Sequence, residues 1–478
     1  MGVALVWFRD DLRLDDHPAL RAALERGLVP VPVYIHAPDE EGDWAPGAAS
    51  NAWRRRSLAA LAAELRRRGS RLLMLHGPSL GTLQALAALT GAEAVLWCRR
   101  YEPRIEARDT RIKRQLRQAG LHAESFNGSL LFEPWEIETR QGDPYRVFTP
   151  FWKAARAHWR LRPLWQAPER LPSPDLAGAP EGRHLDAIIP ETRPDWDAGF
   201  WEQATPGEAG AQARLQRFLA AGLAGYAQAR DQVAADGTSR LSAHLHFGEI
   251  SVQRVAAAVQ AAEVAEADRE RFLAELGWRE FAHHVMHHYP HVVDQDLDPR
   301  MAGFRWARPL RATLDAWERG RTGVPIVDAG MRQLWHTGWM HNRVRMVVAS
   351  WLAKHLRIHW RHGARWFWDT LVDADLANNT QGWQWVAGTG ADADAAPYFR
   401  VFNPVSQAQK FDPQGEYIAR WVPELAPLPL PARFAPWQHP ELLRRVAPRY
   451  PRRPQVDLAA GRAAALEAFA ALRAGREG

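Results

Sequence analysis

The first 130 residues alternate short apolar runs with longer amphipathic stretches. Val3–Phe8, Val29–Ile35, Arg71–Leu75 and Ala94–Cys98 are brief and rich in β-branched or aromatic residues, as strands buried in a parallel sheet are. Between them, Asn51–Arg68, Leu80–Leu89 and Ile105–Ala119 have the amphipathic spacing of helices with one buried face. The strand–helix order predicts an α/β N-terminal domain, a doubly wound parallel sheet covered on both faces. From residue 207 the pattern turns helical, with Ala209–Leu223, Ser251–Ala261, Glu270–Tyr289 and Gly330–His355 as examples and a last helix near the C-terminus. A mostly α-helical C-terminal domain is therefore expected. The stretch Arg162–Thr205 is rich in Pro, Asp and Gly and reads as a connection. The boundaries expected are 1–130, 131–206 for the linker, and 207–478.

A chain of 478 residues is long enough for two or three cores. No apolar run reaches the roughly 18 residues that span a bilayer, and the start lacks a secretory pattern, so a cytoplasmic protein with no membrane partner is expected. The single cysteine, Cys98, excludes an internal disulfide and a cysteine-based metal site. The five histidines His283, His284, His287, His288 and His341 lack H-E-x-x-H or similar spacing, so no metal is expected. A net charge of +6 is compatible with a polyanionic partner. The turn Arg9-Asp10-Asp11-Leu12 after the first strand carries no G-x-G-x-x-G, which argues against a nicotinamide site. The 23 Trp ask for more than core packing, and a flavin or stacking role is one candidate.

Four clusters carry chemistry. Thr238-Ser239-Arg240-Leu241-Ser242, with Tyr226 upstream, reads either as a phosphate-binding helix start or as a plain N-cap. Glu275, Trp278 and Arg279 would gather a carboxylate, an indole and a guanidinium near one helix face, as bases beside a phosphate require; an ordinary amphipathic helix fits as well. Asn342 and Met346 are four apart and share a face, where a buried amide would need a polar partner and a surface amide would not. Asp373 to Trp385 packs two carboxylates, paired amides and two indoles into one short stretch. Such a stretch can bind sugar hydroxyls and a heteroaromatic edge, or can be a polar loop with packed Trp.

Taken in order, VWFRDDLRLDDHPAL, TSRLSAHLHFGEIS, WREF, GVPIVDAGMRQLWHTGWMHNRVRM, DADLANNTQGWQW and APYFRVFNP resemble the photolyase/cryptochrome family, closest to its class I cyclobutane pyrimidine dimer DNA photolyases. The resemblance covers nearly the whole chain. It implies an antenna domain, a linker and a helical domain holding one FAD, reduced when active. It implies light-dependent repair of DNA containing pyrimidine dimers by electron transfer from the photoexcited flavin, in a monomer. The runner-up is a cryptochrome-type photoreceptor without repair.

By the same resemblance, Tyr226, Thr238, Ser239, Arg240, Leu241, Ser242, Arg279, Arg345, Asp373, Asp375 and Asn379 would contact FAD, with Asn379 beside the flavin N5. Glu275, Trp278, Arg279, Asn342, Arg343, Met346, Trp385, Arg400 and Lys410 would meet the lesion and its strand. Glu275, Asn342 and Asn379 would serve catalysis, Glu275 as the neutral acid or through a shared proton. Trp383, Trp360 and Trp306 would relay electrons to the flavin from the surface. Two departures stand out. Gly388–Pro397 is longer than the family pattern, with extra negative charge. Tyr101–Glu106 lacks the Asn-Glu pair of folate-binding members, which leaves methenyltetrahydrofolate, a deazaflavin, FMN or no antenna open.

Overall fold

The structure is a computed structural model and describes residues 2–174, 185–190, 195–392 and 399–474. Five strands form one sheet: β1 (Val3–Phe8), β2 (Val29–His36), β3 (Leu73–His76), β4 (Ala92–Cys98) and β5 (His122–Phe126). All neighbours are parallel, in the order β3-β2-β1-β4-β5. Every residue of β1 is buried. Ala4, Val6 and Phe8 enter the core on one face, and Val3, Leu5 and Trp7 enter the core on the other. Helices on both faces therefore explain why the run shows no polar alternation.

Within the first 130 residues, one strand and one α-helix lay outside the sequence expectation. β5 reads HAESF, polar at alternate positions because it is an edge strand with His122 exposed and Ala123 buried. The helix Pro18–Glu25 starts with proline in its first turn, and His17 Nδ1 caps it by accepting from the Leu20 amide at 3.1 Å. The expected strand from Arg71 begins instead at Leu73.

The C-terminal part is mostly helical. Its central helix, Leu376–Ala387, packs against Glu266–His288, Asn342–Ser350 and Trp360–Thr370. The expected single helix over Gly330–His355 is broken. Pro325–Thr337 ends at Gly338, whose φ of +65° suits glycine and whose missing Cβ makes room for Phe200 and Val372. A new helix, Asn342–Ser350, then starts under a His341 cap and runs on as a π-helical turn over Trp351–His355.

The polar turn after β1 docks the two parts. The Leu12 amide donates to Phe247 O at 3.0 Å, and Arg13 donates to Gly248 O at 2.9 Å and to Gly128 O at 2.7 Å. Ser251 donates to Asp16, and Glu208 accepts from the amides of Leu14 and Asp15. Gly248 sits so close that a Cβ would meet Asp10 O at 2.4 Å. Elsewhere the Trp368 indole donates to Ala45 O at 2.7 Å and meets Trp44 edge-on. Burying this many satisfied polar groups fixes the relative placement of sheet and helices more sharply than apolar contact would.

Candidate functional site

The central helix begins with Asp375 as its N-cap, which accepts from the Asn378 amide at 2.8 Å and the Asn378 side chain at 2.7 Å. His283 stands 3.5 Å and His246 3.8 Å from the same carboxylate. Burial alone would raise its pKa. His283, His246 and Arg279 instead hold the carboxyl well below the usual range, so Asp375 is an anion at any working pH. Asp373 pairs with Arg345 at 2.8 Å, and Arg345 also donates to Met340 O. Arg279 donates to Ser129 O and to the buried Glu280, whose own pKa burial pushes up. Asn379 donates to Ala364 O at 2.9 Å. The structure thus brings Asp375 and Arg279 into one cluster and ties Arg345 to Asp373.

Thr238–Leu241 is irregular backbone leading into a short helix, and two of its carbonyls face Arg214, which reaches Ser239 O at 2.7 Å and Thr238 O at 3.3 Å. Leu241 is the N-cap of the short helix Ser242–His246, without a side-chain cap bond, and Ser242 is exposed. Tyr226 is buried, edge-on to Phe218 and Phe272. Arg240 points elsewhere: it pairs with Asp236 at 3.0 Å, donates to Gln203 and lies 4.5 Å over Trp339.

Glu275 is ion-paired with Arg230, so its carboxylate has a cationic partner where the sequence reading expected a neutral acid or a shared proton. Arg230 also lies 3.5 Å from Asp231, which takes both ends of the Arg343 guanidinium. Arg343 therefore spends its charge within the protein, and its other nitrogen lies 3.8 Å from Met346 Sδ. Asn342 is exposed at the start of its helix. Trp278 is stacked on Phe148, 3.8 Å between centroids and 8° apart in plane. Trp385 is half-buried, and Lys410 and Arg400 are exposed. Arg230, Asp231, His246 and Phe148 were absent from the sequence expectation. No local motif marks Arg230 or Phe148; both come from segments far from the residues they support.

Trp360 and Trp383 are buried and Trp306 is half-buried. Trp306 and Trp360 both touch the His359 ring, at 5.0 and 5.5 Å. Trp383 packs on Gly363, one turn beyond Trp360. Of the longer Gly388–Pro397 segment, Asp392 is anchored by its amide to Arg146 O at 2.9 Å, while residues 393–397 lie outside those described.

A cavity of about 650 Å³ opens beside β4 and is lined by Trp97, Arg99, Asp109, Lys113, Arg117 and Trp135. Burial, then Arg99 and Arg117, lower the Lys113 pKa, which reflects crowded cations. Among the described residues, one group has possible metal ligands close together: Asp11, His17 and Cys98. His17 Nε2 meets Asp11 at 2.9 Å while Nδ1 caps a helix, so both ring nitrogens are already committed. No described helix is long and apolar enough to cross a membrane.

A parallel five-stranded sheet flanked by helices is docked on a mostly helical part whose centre holds a buried acid–base cluster. A family model described as the FAD binding domain of DNA photolyase matches residues 272–471, and one described as DNA photolyase matches residues 4–175. The deoxyribodipyrimidine photo-lyase of Agrobacterium fabrum is 44% identical over 476 residues, covering 98% of each chain. Cryptochrome-2 of Arabidopsis thaliana is 37% identical over 91% of this chain and 73% of that protein. The crystal structure of a bacterial class III photolyase from Agrobacterium tumefaciens superposes with a TM-score of 0.94 at 43% identity, covering 99% of this chain and 98% of that one. The chain belongs to the photolyase/cryptochrome family and carries its FAD-binding domain. The class I likeness read from the motifs now stands beside a solved relative that bears a class III name.

Proposed function

We propose that this protein repairs cyclobutane pyrimidine dimers in DNA under light. The observation that carries the reading is the ion-pair chain Glu275–Arg230–Asp231–Arg343, which ties the helix bearing Glu275 and Trp278 to the helix bearing Asn342 and Met346. The two helices then present a carboxylate, an indole, an exposed amide and a thioether in fixed relation, as recognition of two joined bases taken out of the stack requires.

The helical domain fits FAD. Asp375 and Asp373 are carboxylates suited to sugar hydroxyls, and Arg279 and Arg345 lie beside them for a ring edge or phosphate. Two buried groups of the central helix, Thr380 Oγ1 and Trp383 Nε1, have no partner among the described residues, which leaves hydrogen-bonding capacity there for a bound group. Tyr226, Thr238, Ser239, Leu241 and Ser242 would hold the phosphate side, and Asn379 the flavin edge. Bound FAD supplies the light-driven electron for dimer splitting. The residues supply the rest. Asp375 stays ionised and fixes Asn378. Glu275, anchored by Arg230, accepts hydrogen bonds from the lesion. Trp278, backed by Phe148, offers a flat apolar wall that excludes water. Lys410 and Arg400, exposed, would meet phosphates of the lesion strand. Trp306, Trp360 and Trp383 would carry electrons inward. The 650 Å³ cavity, with its cations and indoles, would take an antenna chromophore.

The test is repair of a thymine-dimer oligonucleotide by the reduced protein, in blue light and in darkness. Repair in light only is expected. No repair by protein that holds photoreducible FAD would reject the reading. It would then favour a cryptochrome-type photoreceptor, which the likeness to the plant cryptochrome supports.

A further inference from the structure

The indoles of Trp383, Trp360 and Trp306 differ in what surrounds them. Trp383 Nε1 is buried and has no partner among the described residues, and its ring is walled by Trp317, Phe367 and Gly363. Trp360 is fully buried, yet its Nε1 donates to Asp296 Oδ1 at 2.7 Å. Trp306 is half-buried. A carboxylate therefore meets the middle indole and not the inner one.

The fold holds that carboxylate in place. Gln384 follows Trp383 on the central helix and is buried. Its side-chain amide donates to Val292 O at 2.8 Å and to Gln295 O at 2.9 Å, and its Oε1 accepts from the Leu297 amide at 2.9 Å. The Asp298 amide donates to Thr389 O at 2.8 Å. Both chain neighbours of Asp296 are thus clamped by the residue next to Trp383, so one helix sets the place of the acid and of the inner indole.

The charge on this carboxylate is undivided. Asp296 makes no ion pair among the described residues. Its titratable neighbour is His359, whose ring lies 5.5 Å from that of Trp360 and 5.0 Å from that of Trp306. Burial lowers the His359 pKa against the opposing pull of Asp296, and Arg361 and His362 lower it further. The ring is then neutral near pH 7 and does not cancel the carboxylate.

These surroundings rank the indoles as electron donors. A positive charge on Trp383 would stand against an apolar wall, where charge is costly. On Trp360 it would face a carboxylate through a charge-assisted hydrogen bond shielded from water. An electron therefore runs downhill from Trp360 to oxidised Trp383, and the positive charge moves outward.

We propose that Asp296 drives the relay outward by stabilising oxidised Trp360, an inference that rests on the electron-relay reading of these indoles. In this step one electron passes from Trp360 to Trp383. No covalent bond is made or broken, and the indole N–H proton stays in the hydrogen bond to Asp296. Trp306 then re-reduces Trp360, and an external thiol, itself oxidised, re-reduces Trp306. Asp296 acts through Trp360 and is in that sense a positioning residue.

The experiment follows tryptophan radicals by flash absorption spectroscopy in the full chain loaded with oxidised FAD. Asp296→Asn keeps the size and a hydrogen-bond acceptor but removes the charge. It should lower the yield of the long-lived radical at least about fivefold, with flavin absorbance and melting temperature unchanged. Asp296→Glu, which keeps the charge, should recover part of the yield. In a Trp306→Phe background, where the positive charge stops at Trp360, Asp296→Asn should shorten the life of the Trp360 radical by a similar factor. A wild-type yield in Asp296→Asn, with the long-lived radical abolished in Trp360→Phe, overturns the proposal and leaves the relay standing. A wild-type yield in Trp360→Phe overturns the relay and this inference with it. Equal losses in Asp296→Asn and Asp296→Glu, with a lowered melting temperature, would make Asp296 a structural residue and overturn it too. Repair activity is not the readout, so failure here is distinguishable from failure of the proposed repair function.

Discussion

The guanidinium of Arg230 is ion-paired with the carboxylate of Glu275, and through Asp231 the same arginine is linked to Arg343. Arg230 is largely buried and Glu275 about a quarter exposed, so the pair is partly shielded from water, and Arg230 is held protonated despite its burial by Glu275, Tyr226 and Asp231. The arrangement makes Arg230 a positioning residue. It fixes where the Glu275 oxygens stand and keeps them as acceptors.

Arg230→Ala should therefore spare the flavin and impair recognition of the lesion. Losing one hydrogen bond to a charged group is worth about 1.5–3 kcal/mol, or roughly 10- to 100-fold in repair at limiting substrate. Flavin absorbance after gel filtration and repair of a dimer oligonucleotide against concentration would measure both. A loss expressed in KM, with kcat retained and Arg230→Lys partly active, fits positioning. Wild-type repair by Arg230→Ala would sink the idea.

His341 sets a pH limit on the helix that carries Asn342. Its Nδ1 caps that helix by accepting from the Arg343 amide at 3.1 Å, which requires the neutral ring. Burial, then Arg343, pulls its pKa down to about 4, against the raising influence of a backbone contact at Arg230 and of Asp231. Between pH 4 and 6.5 the unfolded chain binds a proton here that the folded chain does not. Stability is then full above about pH 6.5 and falls as the pH drops toward 4. His36, His284 and His355 are likewise pulled down to about 4 by burial and add to the fall. Asn is a strong N-cap without a titrating ring, so His341→Asn should keep the helix and flatten the profile. Urea unfolding at pH 7 and pH 5 should show the variant losing about 2 kcal/mol less than the wild type. Equal losses in the two proteins would remove His341 from the account.

The sheet was legible because its strands are buried on both faces: Val3–Phe8 has no polar residue to confuse the period. β5 escaped because an edge strand carries His122 and Glu124, which break the apolar run. The break in Gly330–His355 escaped because Trp339 and Met340 keep the apolar spacing across the turn at Gly338, where backbone geometry decides and periodicity does not. At the site, short motifs flagged Asp373, Asp375, Glu275 and Asn342, because their chemistry is dense along the chain. Arg230 and Phe148 went unflagged because each acts across a distance in sequence, 45 residues to Glu275 for Arg230. The ligand of an ion pair or a stack leaves no local signal. Nor did the sequence show that Arg240, inside a phosphate-like motif, turns its side chain to Trp339.

Gly363 is where the helix Trp360–Thr370 lets Trp383 in. A Cβ at this position would stand 2.0 Å from Trp383 Cη2, far inside contact distance, and the facing atoms belong to a buried ring with little freedom to move. Gly363→Ala gains roughly 1 kcal/mol of helix propensity and costs about 1–3 kcal/mol of overpacking, so it should be neutral to mildly destabilising while displacing the indole. If Trp383 is the inner member of an electron relay through Trp360 and Trp306, that displacement should slow photoreduction of oxidised flavin by an external thiol. Trp383→Phe should abolish it. In both variants, protein reduced beforehand with dithionite should still repair dimers, because the relay serves reduction and not the splitting step. Photoreduction at the wild-type rate in Trp383→Phe would move the relay to other indoles. Loss of repair in both pre-reduced variants would instead make Trp383 part of the wall that shapes the flavin site.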